Sequence, residues 1–429
     1  MTTVESTAQP PSDATALETL TLQGRIDQAA ARGGGQVRIP AGVHRTGALR
    51  VRSGIELHLE AGALLQFVPD PALYPAVDAR WEGVTGTVHS PCIYAHGEVD
   101  VAVTGLGTID GGGPGWWETI RTRGADLAYP RPTLIGLHEC DRVTISDLKL
   151  RNSPAWTVHP ALCDDVTISN IRIENPADSP NTDGIDPESC RNVRISNCHI
   201  DVGDDCIAIK SGTERTERRV SCENVTITNC TMRRGHGGVV LGSEMSGDVR
   251  NVVISTCVFQ GTDRGIRIKT RRGRGGTIED IRVTNVVMDD VLCPLTVNPF
   301  YFCGPDGKEP HVGDRSALPI DDGTPRICGL QIAHVTAKNV HASAAHIFGL
   351  PEAPLRDLTI DDLRVSFAER AHAGMPEMMQ GIAKRVRSGI ELGFITGGAL
   401  HRVRLARTEG EAVSTYRCED LQLDVKGDR

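Results

Sequence analysis

An internal repeat limits what this sequence can fold into more than any other feature does. One pattern recurs eight times: a polar opening, an alternating apolar run, a polar break and a second alternating run. The first apolar residues of the eight units, the anchor residues, are Val143, Val166, Val193, Val225, Val252, Ile281, Leu330 and Leu358. Most steps between the anchors span 23 to 32 positions. Because so short a unit can bury its apolar face only against its neighbours, the repeat predicts stacked coils of short strands.

Two residue types keep a constant phase within successive units. The cysteines that lie five positions after their anchors are Cys198, Cys230 and Cys257. The asparagines that lie four positions after theirs are Asn170, Asn197, Asn229 and Asn285. We expect the cysteines to form an internal ladder of small buried side chains, and zinc binding is disfavoured because they form no CxxC pair. We expect the asparagines to occupy a corner, where they tolerate a left-handed backbone and bond to one another.

The repeat favours one kind of solenoid. Leucine-rich repeats compete, but these units have neither the LxxLxL register nor a helix. The sequence predicts an all-β fold, a single-domain right-handed parallel β-helix over residues 17–429, after a flexible tail over 1–16. Its open ends need covers. Apolar residues at helical spacing predict an N-terminal cap helix over 21–31, stopped by the glycines at 33–35, and a helical insertion between late coils over 374–388.

Composition and charge exclude several function classes. The 429 residues carry a net charge of −9, which argues against nonspecific nucleic-acid binding. The sequence has no run of about 18 apolar residues, so no membrane span is expected. Residues 1–16 are polar and do not resemble a secretory signal, which predicts a cytoplasmic location and reduced thiols for the 13 cysteines. The alternative is a trimmed mature form of an extracellular or periplasmic protein.

Polar residues interrupt the repeat at three places. The interrupting segments are NTDGIDPES at 181–189, VGDDCIAIKSG at 202–212 and RRGHGGVVLGSE at 233–244. Asp204 and His236 both lie eleven residues after their anchors, so they should stack about 5 Å apart on one face. Asp183 precedes Asp204 by 21 residues, again about one coil. Each residue alone fits an ordinary solvated turn, but their common phase favours one shared cleft.

The adjacent carboxylates Asp204 and Asp205 indicate acid–base chemistry. Neighbours in an extended strand point in opposite directions, so both can face one cleft only at a bend, which Gly203 can supply. Like charges held close together cannot both stay ionised cheaply, so one carboxyl should remain protonated near neutral pH. A protonated acid beside an ionised base is what cleavage of a glycosidic bond requires.

Two cations indicate the charge of the substrate. Arg267 and Lys269 alternate in GIRIK and therefore project from one strand face, one coil beyond His236. Beside an acidic cleft they favour an acidic sugar as ligand, and the alternative is a salt bridge to Asp204 or Asp205 alone.

The motifs NTDGID, GDDCIAIKSG, GHGG and RIK, in this order and spacing, resemble glycoside hydrolase family 28, the polygalacturonases. GGGQVRIPAGVHRTGAL near the start and GTIDGGGPGWW at 107–117 are similar to the bacterial and plant-like members, with exo-polygalacturonases closest. The resemblance implies a right-handed parallel β-helix, inversion of configuration, and no metal or other cofactor.

The resemblance also implies a role for each site residue. Asp204 matches the general acid, and His236 matches the histidine that supports it. Asp183 and Asp205 match the pair that activates water. The positions assigned to substrate binding are Asn181, Arg267, Lys269 and Tyr301, of which Arg267 and Lys269 match the pair that holds a galacturonate carboxylate.

The implied activity is hydrolysis of α-1,4-galacturonosidic bonds in pectin-derived oligogalacturonides, with exo action favoured because a cytoplasmic enzyme would meet imported oligosaccharides. One alternative is a rhamnogalacturonan or xylogalacturonan hydrolase of the same family. Others are a pectate-lyase-like enzyme, in which the three aspartates hold calcium, or a non-catalytic carbohydrate-binding β-helix. The expected partner is an acidic oligosaccharide or polysaccharide, not nucleic acid or a membrane, and no oligomeric state is predicted.

Overall fold

The computed structural model describes residues 17–123, 127–304 and 306–428. The tail predicted over 1–16 lies outside the described residues. The described helices are α1 (Thr19–Ala31), the 3₁₀ helix η1 (Pro71–Leu73), α2 (Gly113–Arg123) and α3 (Pro310–Gly313). None of the helices in these ranges is both long and apolar enough to cross a membrane.

Strands make up most of the chain. The first ten are β1 (Gly35–Ile39), β2 (Gly42–Thr46), β3 (Leu49–Arg50), β4 (Ile55–Leu59), β5 (Ala63–Phe67), β6 (Ala76–Trp81), β7 (Val84–His89), β8 (Ile93–His96), β9 (Val99–Gly105) and β10 (Thr108–Asp110). The next twelve are β11 (Ile135–His138), β12 (Asp141–Ser146), β13 (Lys149–Arg151), β14 (Val158–Ala161), β15 (Asp164–Ser169), β16 (Arg172–Glu174), β17 (Arg191–Ser196), β18 (His199–Val202), β19 (Ile207–Ile209), β20 (Cys222–Thr228), β21 (Thr231–Arg234) and β22 (Val239–Leu241). The last eleven are β23 (Val249–Gln260), β24 (Arg264–Lys269), β25 (Thr277–Asp289), β26 (Cys293–Asn298), β27 (Arg326–Val340), β28 (Ser343–Phe348), β29 (Leu355–Phe367), β30 (Ser388–Gly393), β31 (Ile395–Ala406), β32 (Glu409–Tyr416) and β33 (Glu419–Asp428).

The strands form a right-handed parallel β-helix with two kinds of face, as the repeat predicts. One face, here called the ladder face, is a 20-stranded sheet that begins with β1 and ends with β33. The other, the cleft face, consists of a four-stranded sheet (β3, β8, β11, β14) and a seven-stranded sheet (β19, β22, β24, β26, β28, β30, β32). Parallel bridges from Val158 to Ile185 and from Ile185 to Ile207 join these two sheets into one surface.

The eight anchor residues lie in a single register along the ladder face. Each pairs with the next, in the order Val143, Val166, Val193, Val225, Val252, Ile281, Leu330 and Leu358. All eight are buried, and full burial of an aliphatic side chain stabilises a fold by about 1.5–3 kcal/mol. The period read from the sequence is therefore confirmed as the period of the coil.

The predicted asparagine corner is also confirmed. Asn170, Asn197, Asn229 and Asn285 all have left-handed backbones, with φ between 53° and 57°. The Asn229 amide donates to Asn197 Oδ1 at 2.6 Å on the preceding coil. Inside the corner, Cys198, Cys230 and Cys257 are buried in the hydrophobic core. Small side chains fit this position because the chain turns sharply around them.

Helix α1 covers the first coils. It begins at Thr19, two residues before the predicted start, and ends at Ala31. Leu22 and Ile26 are fully buried against the core, and Ala29 and Ala30 pack on it partly buried. The glycines at 33–35 that follow all have positive φ, which suits the end of a helix.

The helical insertion predicted over 374–388 is wrong. In the structure this segment is an irregular loop, closed by an antiparallel bridge between Gly374 and Arg385. Its methionines have helical spacing, but Met379 is instead buried against Phe300 and neighbouring aromatic residues. The carboxylate of Glu377 accepts the backbone N–H of Met378 and pairs with a distant arginine. Tertiary contacts therefore override a modest local helix preference.

Candidate active site

The register of the cleft face brings the predicted aspartates together. Gly184 N donates to the backbone oxygen of Asp205 at 3.0 Å, so Asp183 lies directly beside Asp205 on the next coil. One carboxylate oxygen from each of Asp183, Asp204 and Asp205 lies within 4.8 Å of the others. The three carboxyl groups therefore face one space, as their phase in the sequence predicts.

Asp204 and His236 stack as predicted. His236 N donates to the backbone oxygen of Asp204, and His236 Nδ1 lies 3.1 Å from Asp204 Oδ1. This hydrogen bond raises the pKa of His236 above its usual range, which outweighs the opposing effect of partial burial. A histidine that bonds to the acid in this way can hold its carboxyl in one orientation.

The bend at Gly203 separates the two adjacent aspartates, as expected. The Asp204 side chain is 21% exposed, whereas Asp205 is 1% exposed. A Cβ on Gly203 would lie 2.6 Å from the backbone oxygen of Ala177, so glycine is required here by close packing. The bend leaves Asp204 accessible from the cleft and turns Asp205 toward the cations behind it.

Asp205 is held by two cations. Lys269 Nζ donates to Asp205 Oδ2 at 2.7 Å, and Arg267 Nη1 donates to Asp205 Oδ1 at 3.4 Å. Burial raises the pKa of Asp205, but the positive charges of Lys269 and Arg267 outweigh it and hold that pKa well below its usual range. Gly237 on the intervening coil has no side chain, which lets Arg267 reach Asp205. Asp205 is therefore an ionised carboxylate at neutral pH.

Asp183 has the opposite environment. Burial and the negative charges of Asp204 and Asp186 raise the pKa of Asp183 well above its usual range. The nearest cation, Lys210, has its Nζ 3.8 Å from Asp183 Oδ2. A protonated carboxyl was expected within the adjacent pair Asp204 and Asp205, whereas this environment favours the protonated form at Asp183 in the free site.

Lys210, inside the GDDCIAIKSG motif, is a further charged residue of the site. It is 3% exposed, and its Nζ lies 3.3 Å from Glu244 Oε2 and 3.6 Å from Asp186 Oδ1. It also lies 4.6 Å from the ring centroid of Trp156. Its position in the repeat could have identified it as a site residue, because it occupies the same row of the cleft face as Lys269. The buried carboxylates around it raise its pKa despite the opposing effect of burial, so it carries a positive charge beside Asp183.

Glu377 is a site residue that no sequence pattern indicates. It is fully buried and binds Arg267 through both carboxylate oxygens, at 2.9 Å from Nε and 2.6 Å from Nη2. The Thr296 hydroxyl also donates to it. Glu377 lies 110 residues from Arg267, in the irregular loop that was wrongly predicted to be helical. The loop therefore delivers a carboxylate to the active site from several coils away.

Three of the four residues predicted to bind substrate line the cleft, and the fourth is buried behind it. Lys269, Tyr301 and Asn181 line the cleft. Arg267 does not line it, because it is 1% exposed and is occupied by Glu377. The Tyr301 ring covers both cations, with its centroid 5.6 Å from Arg267 Cζ and 5.3 Å from Lys269 Nζ. Of the predicted pair of cations, Lys269 is therefore the one that lines the cleft.

A hairpin forms part of the cleft wall. Strands β6 and β7 pair antiparallel and place Glu82 in the cleft wall. The hairpin is fixed by Arg80, which is buried and donates to Glu188 Oε1 at 2.9 Å. Trp81 stacks on Trp156, with ring centroids 6.2 Å apart, and the Thr216 hydroxyl donates to the backbone oxygen of Gly83. The tip of the hairpin therefore lies beside Thr213 and Glu244, in coils that follow Asp183.

The three aspartates also have a spacing that could hold a cation. Calcium prefers six to eight oxygen ligands, without ammonium groups among them. Here Lys269 and Lys210 already bring positive charge to Asp205 and Asp183. The arrangement suits acid–base chemistry better than a calcium-dependent elimination.

Comparison with known proteins agrees with this geometry. The sequence model described as Glycosyl hydrolases family 28 matches residues 35–372. A probable polygalacturonase of Vitis vinifera is 34% identical over 348 residues, which are 79% of this chain and 68% of the relative. An endo-polygalacturonase of Pectobacterium carotovorum subsp. carotovorum is 30% identical over 332 residues, which are 72% of this chain and 80% of the relative.

A solved structure shows the same fold. The hyperthermoactive exopolygalacturonase from Thermotoga maritima superposes with a TM-score of 0.69 at 26% sequence identity. The superposition covers 96% of this chain and 89% of the other.

Proposed function

Since the chain belongs to glycosyl hydrolase family 28, as its four motifs indicated, we propose that it releases galacturonate from one end of pectin-derived oligogalacturonides by hydrolysing α-1,4 bonds. The observation that carries the proposal is the convergence of a partly exposed acid, Asp204, an ionised carboxylate, Asp205, and a cation, Lys269, in the lining of one cleft. A carboxylate-bearing sugar fits this combination better than a neutral one.

Asp204 is the proposed proton donor to the glycosidic oxygen, and it would take over for this step the proton that Asp183 holds in the free site. It is the most exposed of the three aspartates, and His236 fixes its orientation. After the leaving group departs, the cleft must return a proton to Asp204. His236, whose pKa is raised and which is half exposed, can pass that proton from solvent.

Asp205 is the proposed base that activates water. In the free site Lys269 and Arg267 keep it ionised but weakly basic. A substrate carboxylate that binds Lys269 would draw this cation away from Asp205. The basicity of Asp205 would then rise only when substrate is present, and Asp183 would hold the water from the other side.

Inversion of configuration is the proposed stereochemical outcome. The nearest carboxylate oxygens, within 4.8 Å, are closer than the roughly 6.5–9.5 Å that separates acid and base in most inverting enzymes. However, both oxygens of Asp205 are engaged by cations, which weakens it as a nucleophile. Attack by water, rather than by a carboxylate, is favoured.

Exo action is proposed because the hairpin β6–β7 adds a wall to the cleft. Glu82 at its tip and Trp156, on which Trp81 stacks, both line the cleft and restrict the room for a polymer on this side. A polymer could therefore enter from the Tyr301 side and present one end to the catalytic aspartates. The similarity to the Thermotoga maritima exopolygalacturonase supports the same conclusion.

Product analysis on hexagalacturonate tests the whole proposal. We expect monomer and pentamer at the first time point, with the new reducing end in the inverted configuration by proton NMR. Intermediate oligomers at early times would refute exo action. An unsaturated, ultraviolet-absorbing product that chelators abolish would show a lyase instead, and release from rhamnogalacturonan fragments but not from hexagalacturonate would reassign the substrate.

A further inference from the structure

A second cluster of ligand-type side chains lies on the cleft face, toward the N-terminal coils. It consists of His96 at the end of β8, His138 at the end of β11, and Glu139. The two histidines are register partners on adjacent coils, with ring centroids 4.7 Å apart. One ligand atom from each of the three residues lies within 4.8 Å of the others. In this row Lys210 of the active site lies three coils further on, about 14 Å away at the usual strand spacing.

The hydrogen bonds of Tyr94 determine which nitrogen of His96 is free. Tyr94 Oη donates its single proton to the backbone oxygen of Asp78 at 3.0 Å. It must therefore accept from His96 Nδ1, which lies 3.1 Å away. The neutral His96 ring then carries its hydrogen on Nδ1 and a lone pair on Nε2.

That lone pair faces a carboxylate oxygen. His96 Nε2 lies 3.4 Å from Glu139 Oε2. Two acceptors at this distance repel each other unless a positive charge, either a proton or a metal ion, lies between them. Two ligands bound at about 2.0–2.1 Å to a tetrahedral zinc ion would be separated by about 3.4 Å, so the observed spacing suits a metal ion.

His138 provides an independent observation. The residue is 6% exposed, and neither ring nitrogen has a hydrogen-bond partner within the described ranges. A buried polar group without a partner costs about 1–3 kcal/mol. A ligand beside His96 and Glu139 would satisfy one of these nitrogens.

We propose that His96, His138 and Glu139 bind a divalent first-row transition-metal ion, for which Zn²⁺ is the best match. Two imidazoles and one carboxylate suit zinc and disfavour calcium or magnesium, which prefer oxygen ligands. The side chains of His96 and Glu139 are 35% and 41% exposed, so a fourth position remains open to water. Arg218 donates to Glu139 Oε1 at 3.2 Å, which leaves Oε2 for the ion.

The site is connected to the wall of the cleft. Tyr94 is the outer partner of His96, and such partners orient metal-binding histidines. Through Tyr94 the ion would be linked to Asp78 on β6, the first strand of the hairpin. Metal binding should therefore stabilise the base of the hairpin that forms part of the cleft wall.

The test is zinc titration of the full chain, freed of metal by EDTA and desalted, in an isothermal calorimeter. We expect one site with micromolar or better affinity in the wild type, weakened at least tenfold in His96→Gln and Glu139→Gln. The matched control is His334→Gln, because His334 faces Asp362 at 3.2 Å without a second histidine and should leave the affinity unchanged.

Further measurements separate the alternatives. Asp205→Asn should keep the zinc site, whereas loss of binding in this variant with retention in His96→Gln would place the ion at the catalytic carboxylates. Cobalt(II) added to the wild type should give visible absorption bands typical of four-coordinate nitrogen and oxygen ligands, and zinc should raise its melting temperature. Both of these measurements use the wild type, so they do not depend on whether a variant folds. A wild type that binds neither ion would overturn the proposal and leave a shared proton between His96 and Glu139. The catalytic proposal does not depend on either outcome.

Discussion

The ladder face and the cleft face use the same coil spacing in opposite ways. On the ladder face like residues stack on like, as in the row of anchors and in the asparagine corner, and burial alternates along each strand. On the cleft face charged residues meet across coils, so that Asp183 lies beside Asp205 and the side chain of Arg267, two coils further on, reaches Asp205. All six positions of β24 are buried, although three carry a positive charge. The ladder face fixes a regular spacing, and the cleft face uses that spacing to hold charges that would otherwise be costly to bury.

This difference predicts that removal of one cleft carboxyl changes catalysis and not the fold. Asp204→Asn should lower kcat by about 10²–10⁴-fold, because the acid that protonates the leaving oxygen is lost. The melting temperature should change little, because Asp204 is only partly buried. Reducing-sugar release from digalacturonate and a thermal melt measure the two effects.

The ladder face offers a matched control in Asp165→Asn. Asp164 and Asp165 are also adjacent aspartates, but they begin β15, and Asp165 pairs with the exposed Arg194. Its activity should stay within about twofold of the wild type, since exposed ion pairs contribute about 0–1 kcal/mol. Equal losses in both variants would contradict the distinction between the faces.

Glu377→Gln should affect both the fold and catalysis. Breaking a buried ion pair by removing one partner costs about 3–5 kcal/mol, and here it leaves Arg267, at 1% exposure, with the more distant Asp205 as its remaining carboxylate. Arg267 would then hold Asp205 more tightly and weaken it as a base, so kcat should fall at pH values where the variant is fully folded. Urea denaturation and steady-state kinetics measure the two losses.

The control is Glu409→Gln, which removes an exposed partner from Arg387 and should cost less than about 1 kcal/mol. If Glu377→Gln were as stable and as active as this control, the loop would have no positioning role.

Acid should remove the stabilisation of the fold that the Glu377 carboxylate provides. Burial raises the pKa of Glu377, but Arg267 and its hydrogen bonds outweigh burial and lower that pKa to about 2. A glutamate whose folded pKa lies below its unfolded value of about 4.3 stabilises the fold fully above that value and loses the effect as the pH falls toward 2. The difference in unfolding free energy between wild type and Glu377→Gln should therefore narrow from about pH 5 to about pH 3. If the difference in unfolding free energy did not change with pH, the charge of Glu377 would not be the source of its stabilising effect.

The two faces also differ in how far the sequence predicts them. The repeat predicts the ladder face because each unit has the same pattern of apolar and polar residues. All eight anchors are therefore in register. The phase of Asp204 and His236 predicts their contact for the same reason. The phase of Asp183 points to Asp204, yet its register partner is Asp205, one residue away.

What the sequence does not predict depends on contacts between distant segments. Glu377 reaches Arg267 from a loop that belongs to no repeat, and its local pattern favours a helix. The burial of Arg267 follows from that loop as well as from the Tyr301 ring above it. Local periodicity carries no information on which charge will be covered by a distant loop.

A core substitution on the ladder face should have the opposite effect to Asp204→Asn, because it should lower stability and leave catalysis unchanged. Ile227 is fully buried in β20, in register with Ile195 and Ile254. Ile227→Ala should lower the unfolding free energy by about 2–5 kcal/mol through lost burial and a residual cavity. At a temperature where the variant is folded, kcat/KM should equal that of the wild type. A large loss of kcat/KM with retained structure would show that the ladder face tunes the site and does more than support it.

The smallest expected effect comes from the asparagine corner. Asn229 has φ of 53° and bonds to Asn197 on the preceding coil. Asn229→Ala should cost about 1–2 kcal/mol, since alanine is strained in the left-handed region. Asn229→Gly loses the same side-chain bond but tolerates that backbone, so it should be the more stable of the two in urea. If glycine were no better than alanine, the ladder bond and not the backbone conformation would account for asparagine at this corner, and stacking like on like would itself stabilise the fold.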